Sequence, residues 1–415
     1  MARQSGVHPI ARHGALRRRS GWRSLLTFLT AFFAVVTLSI ASVALIALWQ
    51  FQSGLDIVDI GGGEDVPPPS VGAYPGGFNV FIVGSDTRVG QGGLGGEDPG
   101  STLNDVNILL HVSADHSRAI AVSIPRDLVI PFPECTDPQT GETFPESEGQ
   151  PINEALRRGG LPCAVEAVSD LTGLEIQFAG LVTFQGVVEM SNAVGGVPVC
   201  ITAPINDPRS GLVLDTAGEH VLSGPDALAF LRTRHGVGDG SDLGRISSQQ
   251  VFLSSLVRKL KSNETLSNPV RLYELAGVVR ENMTLSSSMA SLDTLVALAM
   301  ALKDVELENV LFVQYPTVYR ETDPWYGKLA SEDAIASALF SAIAADQPFG
   351  LGSQEERPGS VPDPDAPTAS PEPTEPGTAT PSPTGTATPE PELPTIEGLP
   401  GQTAAERTCS VASGG

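Results

Sequence analysis

Residues 24–55 contain no charged side chain, and the stretch LLTFLTAFFAVVTLSIASVALIALW within them is long enough to cross a bilayer as a helix. This run constrains everything that follows it. Six arginines precede it (Arg3, Arg12, Arg17, Arg18, Arg19 and Arg23), and residues 1–23 carry no acid. Positive charge on one flank fixes that flank in the cytoplasm, and Trp22 and Trp49 stand where interfacial aromatics belong. The expectation is a cytoplasmic basic segment over 1–23, an uncleaved transmembrane helix over 24–51, and a remainder exposed outside the cell. A cleaved signal peptide is the competing reading, but the apolar run exceeds an ordinary signal core.

Of the 25 Lys and Arg, six lie in residues 1–23, so the remainder sets 19 basic against 48 acidic residues. Such a surface excludes non-specific nucleic-acid binding. Cys135, Cys163, Cys200 and Cys409 all follow the span, where disulfides persist, and their spacing does not resemble a zinc site. Four cysteines allow three pairings. Cys135–Cys163 is favoured because it would staple the polar loop 136–150, which has little apolar content to hold it. Buried free thiols are the alternative.

Composition divides the rest. Residues 52–77 are rich in Gly and Pro and read as a stalk. Residues 78–350 have globular composition. Residues 351–395 are dominated by Pro, Thr, Ser, Gly and Glu, cannot bury a core, and are expected to be disordered. The end, 396–415, carries Cys409, and a disulfide would let it return to the domain. Strand-like runs are Asn79–Val83, Val106–Val112, Ala119–Ile124, Ile176–Phe184, Val197–Thr202 and Val310–Gln314. They alternate with helical patterns at Asn153–Arg158, Ala164–Leu171, Phe184–Val194, Leu243–Lys261, Leu272–Glu281, Ser291–Lys303 and Ser331–Ala344. This alternation points to an α/β class with layers around a sheet.

The segment DALAFLRTRHGVGDGSDLGRISSQQ (226–250) concentrates Arg232, Arg234 and Arg245 in an acidic chain. Arginine forks onto phosphate oxygens, so a cluster on a cleft wall reads as a pyrophosphate clamp. Arg232 and Arg234 point the same way only if the chain has left the helix between them. Asp242 is placed to cap the following helix, and Arg245 and Gln249 share a face near its positive end. Ordinary surface ion pairs are the bland alternative.

Three further features meet at one sheet edge. The first strand runs into Asp86 and Arg88, the second begins after Asp105, and the third ends at Arg126. Strands two and three are joined by a short antiparallel connection, so Asp105 and Arg126 share an edge. Asp86 and Arg88 join them if the first strand ends there too. Asp86 and Asp105 could share Mg²⁺, which takes one or two carboxylates plus phosphate oxygens. Turn capping is the alternative for each Asp taken singly.

These motifs, GSDTR (84–88), SIPRD (123–127), INEA (152–155), GGVPV (195–199), LRTRH (231–235) and DLGRISSQQ (242–250), together resemble the LytR-CpsA-Psr family of bacterial cell-envelope proteins. The motif core spans 78–262. The resemblance implies an α/β/α layered domain with a central mixed sheet. It also implies transfer of a glycopolymer from a polyprenyl-pyrophosphate carrier to peptidoglycan. By position, Asp86 and Asp105 match the family's Mg²⁺ aspartates, and Arg126, Arg232, Arg234 and Arg245 its pyrophosphate arginines. Arg88, Asp242 and Gln249 match further head-group positions. The chain departs from the family at Leu103-Asn104, Pro151 and Ser248, where basic residues are common. His235 reads as structural or rim-lying rather than catalytic. Phe184, Val187, Val188 and Val194 with 252–256 are candidates for an apolar trough for the lipid. A lipid pyrophosphate hydrolase and a non-catalytic lipid-phosphate sensor are the rival functions.

Overall fold

The computed structural model describes residues 21–53, 56–61, 74–85, 102–138, 140–261, 275, 278–279, 282–352, 359–366 and 393–413. The chain forms two compact units, residues 1–53 and 54–415. Among the described residues the first is a single helix, α1 (Gly21–Ser53), whose Leu25–Val43 window has mean hydropathy 2.1 and contains no buried residue among those described. By length and composition it can cross a membrane.

The second unit is built on an eight-stranded sheet. Its strands, with those of a smaller sheet and with β5 and β11, which each belong to a separate two-stranded pair, are β1 (Asp56–Val58), β2 (Phe78–Ser85), β3 (Asn104–Val112), β4 (Ala119–Ser123), β5 (Val129–Phe132), β6 (Phe178–Val182), β7 (Val197–Ile201), β8 (Gly218–Leu222), β9 (Met283–Ser286), β10 (Val310–Gln314), β11 (Leu329–Ser331), β12 (Ser360–Pro362), β13 (Gly401–Thr403) and β14 (Thr408–Ser410). The main sheet runs β1-β9-β6-β2-β3-β4-β10-β13 and mixes parallel and antiparallel pairs. The smaller sheet runs β8-β7-β14-β12.

The helices are α2 (Ala155–Thr172), α3 (Phe184–Ala193), α4 (Gly224–Arg232), α5 (Asp242–Lys261), α6 (Leu292–Lys303) and α7 (Asp333–Ala344). On β10, Leu311 and Val313 enter the core shared with α2 and α7. The alternate residue Gln314 bonds Ser247 of α5 instead, so the two helix layers cover opposite faces. With both faces covered, β4 (AIAVS) is buried at every position. The architecture is the expected α/β/α, with the smaller sheet packed beyond α5. The two short helices expected near 153–171 are both present within α2 and meet at a kink at Gly159–Gly160, where the backbone leaves helical angles and Gly160 takes φ +66°.

Both ends of the domain depart from the sequence reading. Residues 56–58, expected in the stalk, pair with β9 as the edge strand of the main sheet. Tyr74, also expected there, is buried edge-on against Phe78 and Phe178 at 5.3 and 5.2 Å. Ser360–Pro362, inside the expected disordered tail, pairs with β14. Residues 401–403 close the far edge of the main sheet against β10. Apolar patterning missed these pieces because each is only about three residues long. The expected helix Leu272–Glu281 and residues 367–392 lie largely or wholly outside the described residues. Cys135–Cys163 is bonded as expected, and Cys200 pairs with Cys409.

Candidate active site

One sheet edge collects the ends of β2, β4, β6 and β10 and the start of β3. Ser85 lies opposite Asn104, Ile108 opposite Ser123, Gly84 opposite Val182, and Gln314 opposite Ser123. Ligands of α/β sheets sit beyond such carboxyl ends. Asp105 enters from β3 and Arg126 from the turn after β4, and the two form an ion pair as the strand logic expects.

The start of α5 completes the cluster. Ser241 Oγ accepts the Gly244 N–H at 3.1 Å, so Ser241 is the helix cap rather than Asp242. Asp242 is freed for a different role. Its Oδ1 lies 2.7 Å from Arg245 Nη2 and 3.7 Å from Arg126 Nε, and its side chain is 5% exposed. Arg245 Nη2 also donates to the Asp105 carbonyl at 2.8 Å. Neither oxygen of Asp242 has a hydrogen bond, and the buried Nε atoms of Arg126, Arg234 and Arg245 also lack partners. The 2.7 Å approach is therefore an ion contact without hydrogen-bond alignment.

Arg234 acts on the same cluster. Burial would raise Asp127, but Lys328 at 2.5 Å, with Arg126 and Arg234, outweighs it and holds the carboxyl below its ordinary range. Burial pulls Arg245 down; Asp242 and Asp105 oppose this, and Arg126 and Arg234 add to it. Burial also pulls on Arg126, yet Asp105, Asp242 and Asp127 together push it above its ordinary value. The structure thus gathers Arg126, Arg234, Arg245, Asp105, Asp127 and Asp242 into one electrostatic unit.

The remaining expected residues are placed as follows. α4 ends at Arg232 and Thr233 is extended, so the chain does leave the helix between the two arginines. Arg232 nevertheless stacks over the Phe184 ring at 4.5 Å, on the α3 side. Gln249 donates to the Leu231 carbonyl at 2.9 Å and ties α5 to α4. His235 accepts from Arg209 at 2.6 Å. Asp86 and Arg88 lie outside the described residues. Phe184, Val187, Val188 and Leu228 form a small apolar cluster, whereas Val194 and Phe252 belong to the core under the smaller sheet. That removes Val194 and Phe252 from the expected trough.

The three departures are structural. Asn104 is buried and bonds Asn107 at 2.6 Å and the Ile152 carbonyl at 3.0 Å. Pro151 closes the strand pairing with Val129. Ser248 bonds Ser410 in the interior. Sequence reasoning gave no role to Asp127, although SIPRD contains it, and missed Lys328, which lies 201 positions away with no local signal. Among the described residues, the one ligand group close enough to hold an ion is Cys200, Asp363 and Cys409, and both its sulfurs are committed to a disulfide.

Residues 62–338 match the model of the LytR_cpsA_psr family. The chain belongs to that family. It is 28% identical over 323 residues to the cell wall biosynthesis protein LcpA of Corynebacterium glutamicum, covering 72% of this chain and 61% of LcpA. It therefore spans less than two thirds of that relative's length. It is 25% identical over 297 residues to TagT of Bacillus subtilis, a polyisoprenyl-teichoic acid–peptidoglycan teichoic acid transferase, covering 70% of this chain and 85% of TagT. The structure of a LytR-Csp2A-Psr enzyme from Actinomyces oris superposes with TM-score 0.51 at 22% identity, covering 70% of this chain and 95% of that one. This last likeness supports the fold alone.

Proposed function

We propose that this chain transfers a glycopolymer from a polyprenyl-pyrophosphate carrier to a peptidoglycan hydroxyl. The carrying observation is the convergence of Arg126, Arg234 and Arg245, each with a buried Nε that makes no hydrogen bond, beside Asp105 and Asp242. Unmade hydrogen bonds of buried groups cost about 1–3 kcal/mol each, so the cluster is suited to a polyanion that would satisfy several at once. The similarity to TagT, a polyisoprenyl-teichoic acid–peptidoglycan teichoic acid transferase, supports the same reading.

In this reading the arginines hold the pyrophosphate and take up the charge that builds on the leaving group. The acceptor oxygen forms a bond to the phosphorus nearer the glycan. The bond from that phosphorus to the bridging oxygen breaks, and polyprenyl phosphate leaves with the electron pair. The acceptor proton goes to a carboxylate of the site. Asp86 and Asp105 would hold Mg²⁺, which when bound neutralises phosphate charge. The fit rests on register: Ser85 and Asn104, the residues preceding the two aspartates, are partners across β2 and β3. The basic segment before α1 supports, in the same reading, a cytoplasmic N-terminus and a domain outside.

The test is turnover of a radiolabelled polyprenyl-pyrophosphate glycan by the full chain in the presence of peptidoglycan. Label in the peptidoglycan as a phosphodiester is the expected result. Free phosphorylated glycan would mark a hydrolase, and binding without turnover a sensor; either would overturn the proposal.

A further inference from the structure

A groove of about 820 Å³ lies on the α2–α7 side of the domain, separate from the arginine cluster. One face of α7 lines it lengthwise: Asp333, Ala336, Ser337, Phe340, Ser341 and Ala344 recur at helical spacing. At the rise of an α-helix that stripe is about 16 Å long. Val129 and Leu171 add apolar floor opposite, and Thr172 adds a hydroxyl. The volume falls within the roughly 300–1,000 Å³ of small-ligand sites.

Arg320 stands on this groove without a commitment. Its Nε is buried with no hydrogen-bond partner, and its side chain makes no ion pair among the described residues. In a domain so acidic, an idle guanidinium selects an anion, and its planar fork suits a carboxylate. Asp333 in the same lining disfavours a phosphate and accepts N–H or O–H donors instead. The serine hydroxyls between alanines match the alternating polar and apolar surface of a sugar chain, and they interrupt the apolar wall a prenyl chain would need. Two bonds through Lys328, the first from the Arg320 backbone, link the groove to the candidate active site. The Arg320 N–H donates to the Lys328 carbonyl at 2.8 Å, and the Lys328 ammonium holds Asp127, the neighbour of Arg126.

We propose that this groove is the acceptor subsite, binding a peptidoglycan strand with Arg320 on a carboxylate of its peptide stem. This rests on the transferase reading above. Asp333 and the α7 serines hold the sugar hydroxyls and amides.

The test uses the full chain in detergent and two probes: a peptidoglycan tetrasaccharide with free stem carboxylates, and the same compound amidated. Calorimetry should show the acid form binding about tenfold or more tightly than the amide. Arg320→Gln should erase that difference, and Ser337→Trp, which fills the groove, should abolish binding of both probes. Equal binding of the two probes by the wild type would overturn the proposal. So would wild-type binding of the acid form by both folded variants, or displacement of the tetrasaccharide by polyprenyl phosphate alone. Transfer assays separate the two readings. Arg320-dependent binding without any transfer sinks the transferase and leaves the groove. Transfer with an unaltered acceptor KM in both variants sinks the groove and leaves the transferase.

Discussion

The hydroxyls of Ser248 and Ser410 meet at 2.7 Å in a fully buried contact between residues 162 positions apart. Ser248 occupies a position on α5 where the family resemblance leads one to expect arginine. Here the returning strand β14 covers it, and no room remains for a long cation. Ser248→Arg should therefore destabilise the domain by about 3 kcal/mol or more, since a buried unpaired charge costs that much. Ser248→Ala should cost about 1 kcal/mol. Urea unfolding would decide; a Ser248→Arg protein as stable as the wild type would show that β14 yields easily.

The Cys200–Cys409 bond closes a loop of 209 residues. Crosslinks over long loops stabilise chiefly by restricting the unfolded chain, typically by about 2–5 kcal/mol. Cys409→Ser should lose stability in that range and expose residues 401–413 to protease before the rest of the domain is cut. Cys163→Ser should instead open the loop 136–150. Identical digestion patterns for the two variants would contradict this division of labour.

Arg126→Lys, Arg234→Lys and Arg245→Lys keep charge but lose the planar fork. Each should weaken donor binding about tenfold to a hundredfold, as expected for a charge-assisted bond of about 1.5–3 kcal/mol. Arg157, exposed and paired with Glu154 on α2, is the suitable control. Arg209 is not, because it donates to His235 beside Arg234. Wild-type donor affinity in all three variants would place the pyrophosphate elsewhere.

Asp127 has a depressed pKa despite its burial, because Lys328, Arg126 and Arg234 favour its charged form. Its contribution is complete above the ordinary carboxylate value of about 3.9 and is lost as pH falls through the lower folded value. Asp127→Asn should thus be less stable than the wild type near pH 7, with the gap closing below about pH 4. Urea midpoints across that range would show it. A gap that widens in acid would mean that the carboxyl is not held charged by these partners.

The sequence was most legible where patterns were long and local. Val310–Gln314 and Phe184–Ala193 follow from β-branched runs and helical spacing. The sharing of one edge by Asp105 and Arg126 followed from counting strand directions. What escaped was nonlocal. Nothing near Lys328 marks it as the partner of Asp127, and three-residue strands such as Gly401–Thr403 carry no periodicity. The cap at Ser241 was missed because Asp242 is an equally good capping residue, and only the neighbouring arginines decide which one turns inward.

The pairing of β13 with β10 has a consequence for how the domain is made. Synthesis proceeds from the N-terminus, so Val310–Gln314 is complete about ninety residues before Gly401–Thr403 exists to cover it. Until then the sheet carries an open, apolar rim of unpaired backbone, the kind of surface on which chains stick to one another. Cys200 waits longer still, with its partner more than two hundred residues behind it. The nascent domain is thus a half-closed object through much of its production. A premature stop between residues 315 and 401 would release it in that adhesive state, with every motif of the arginine cluster already present.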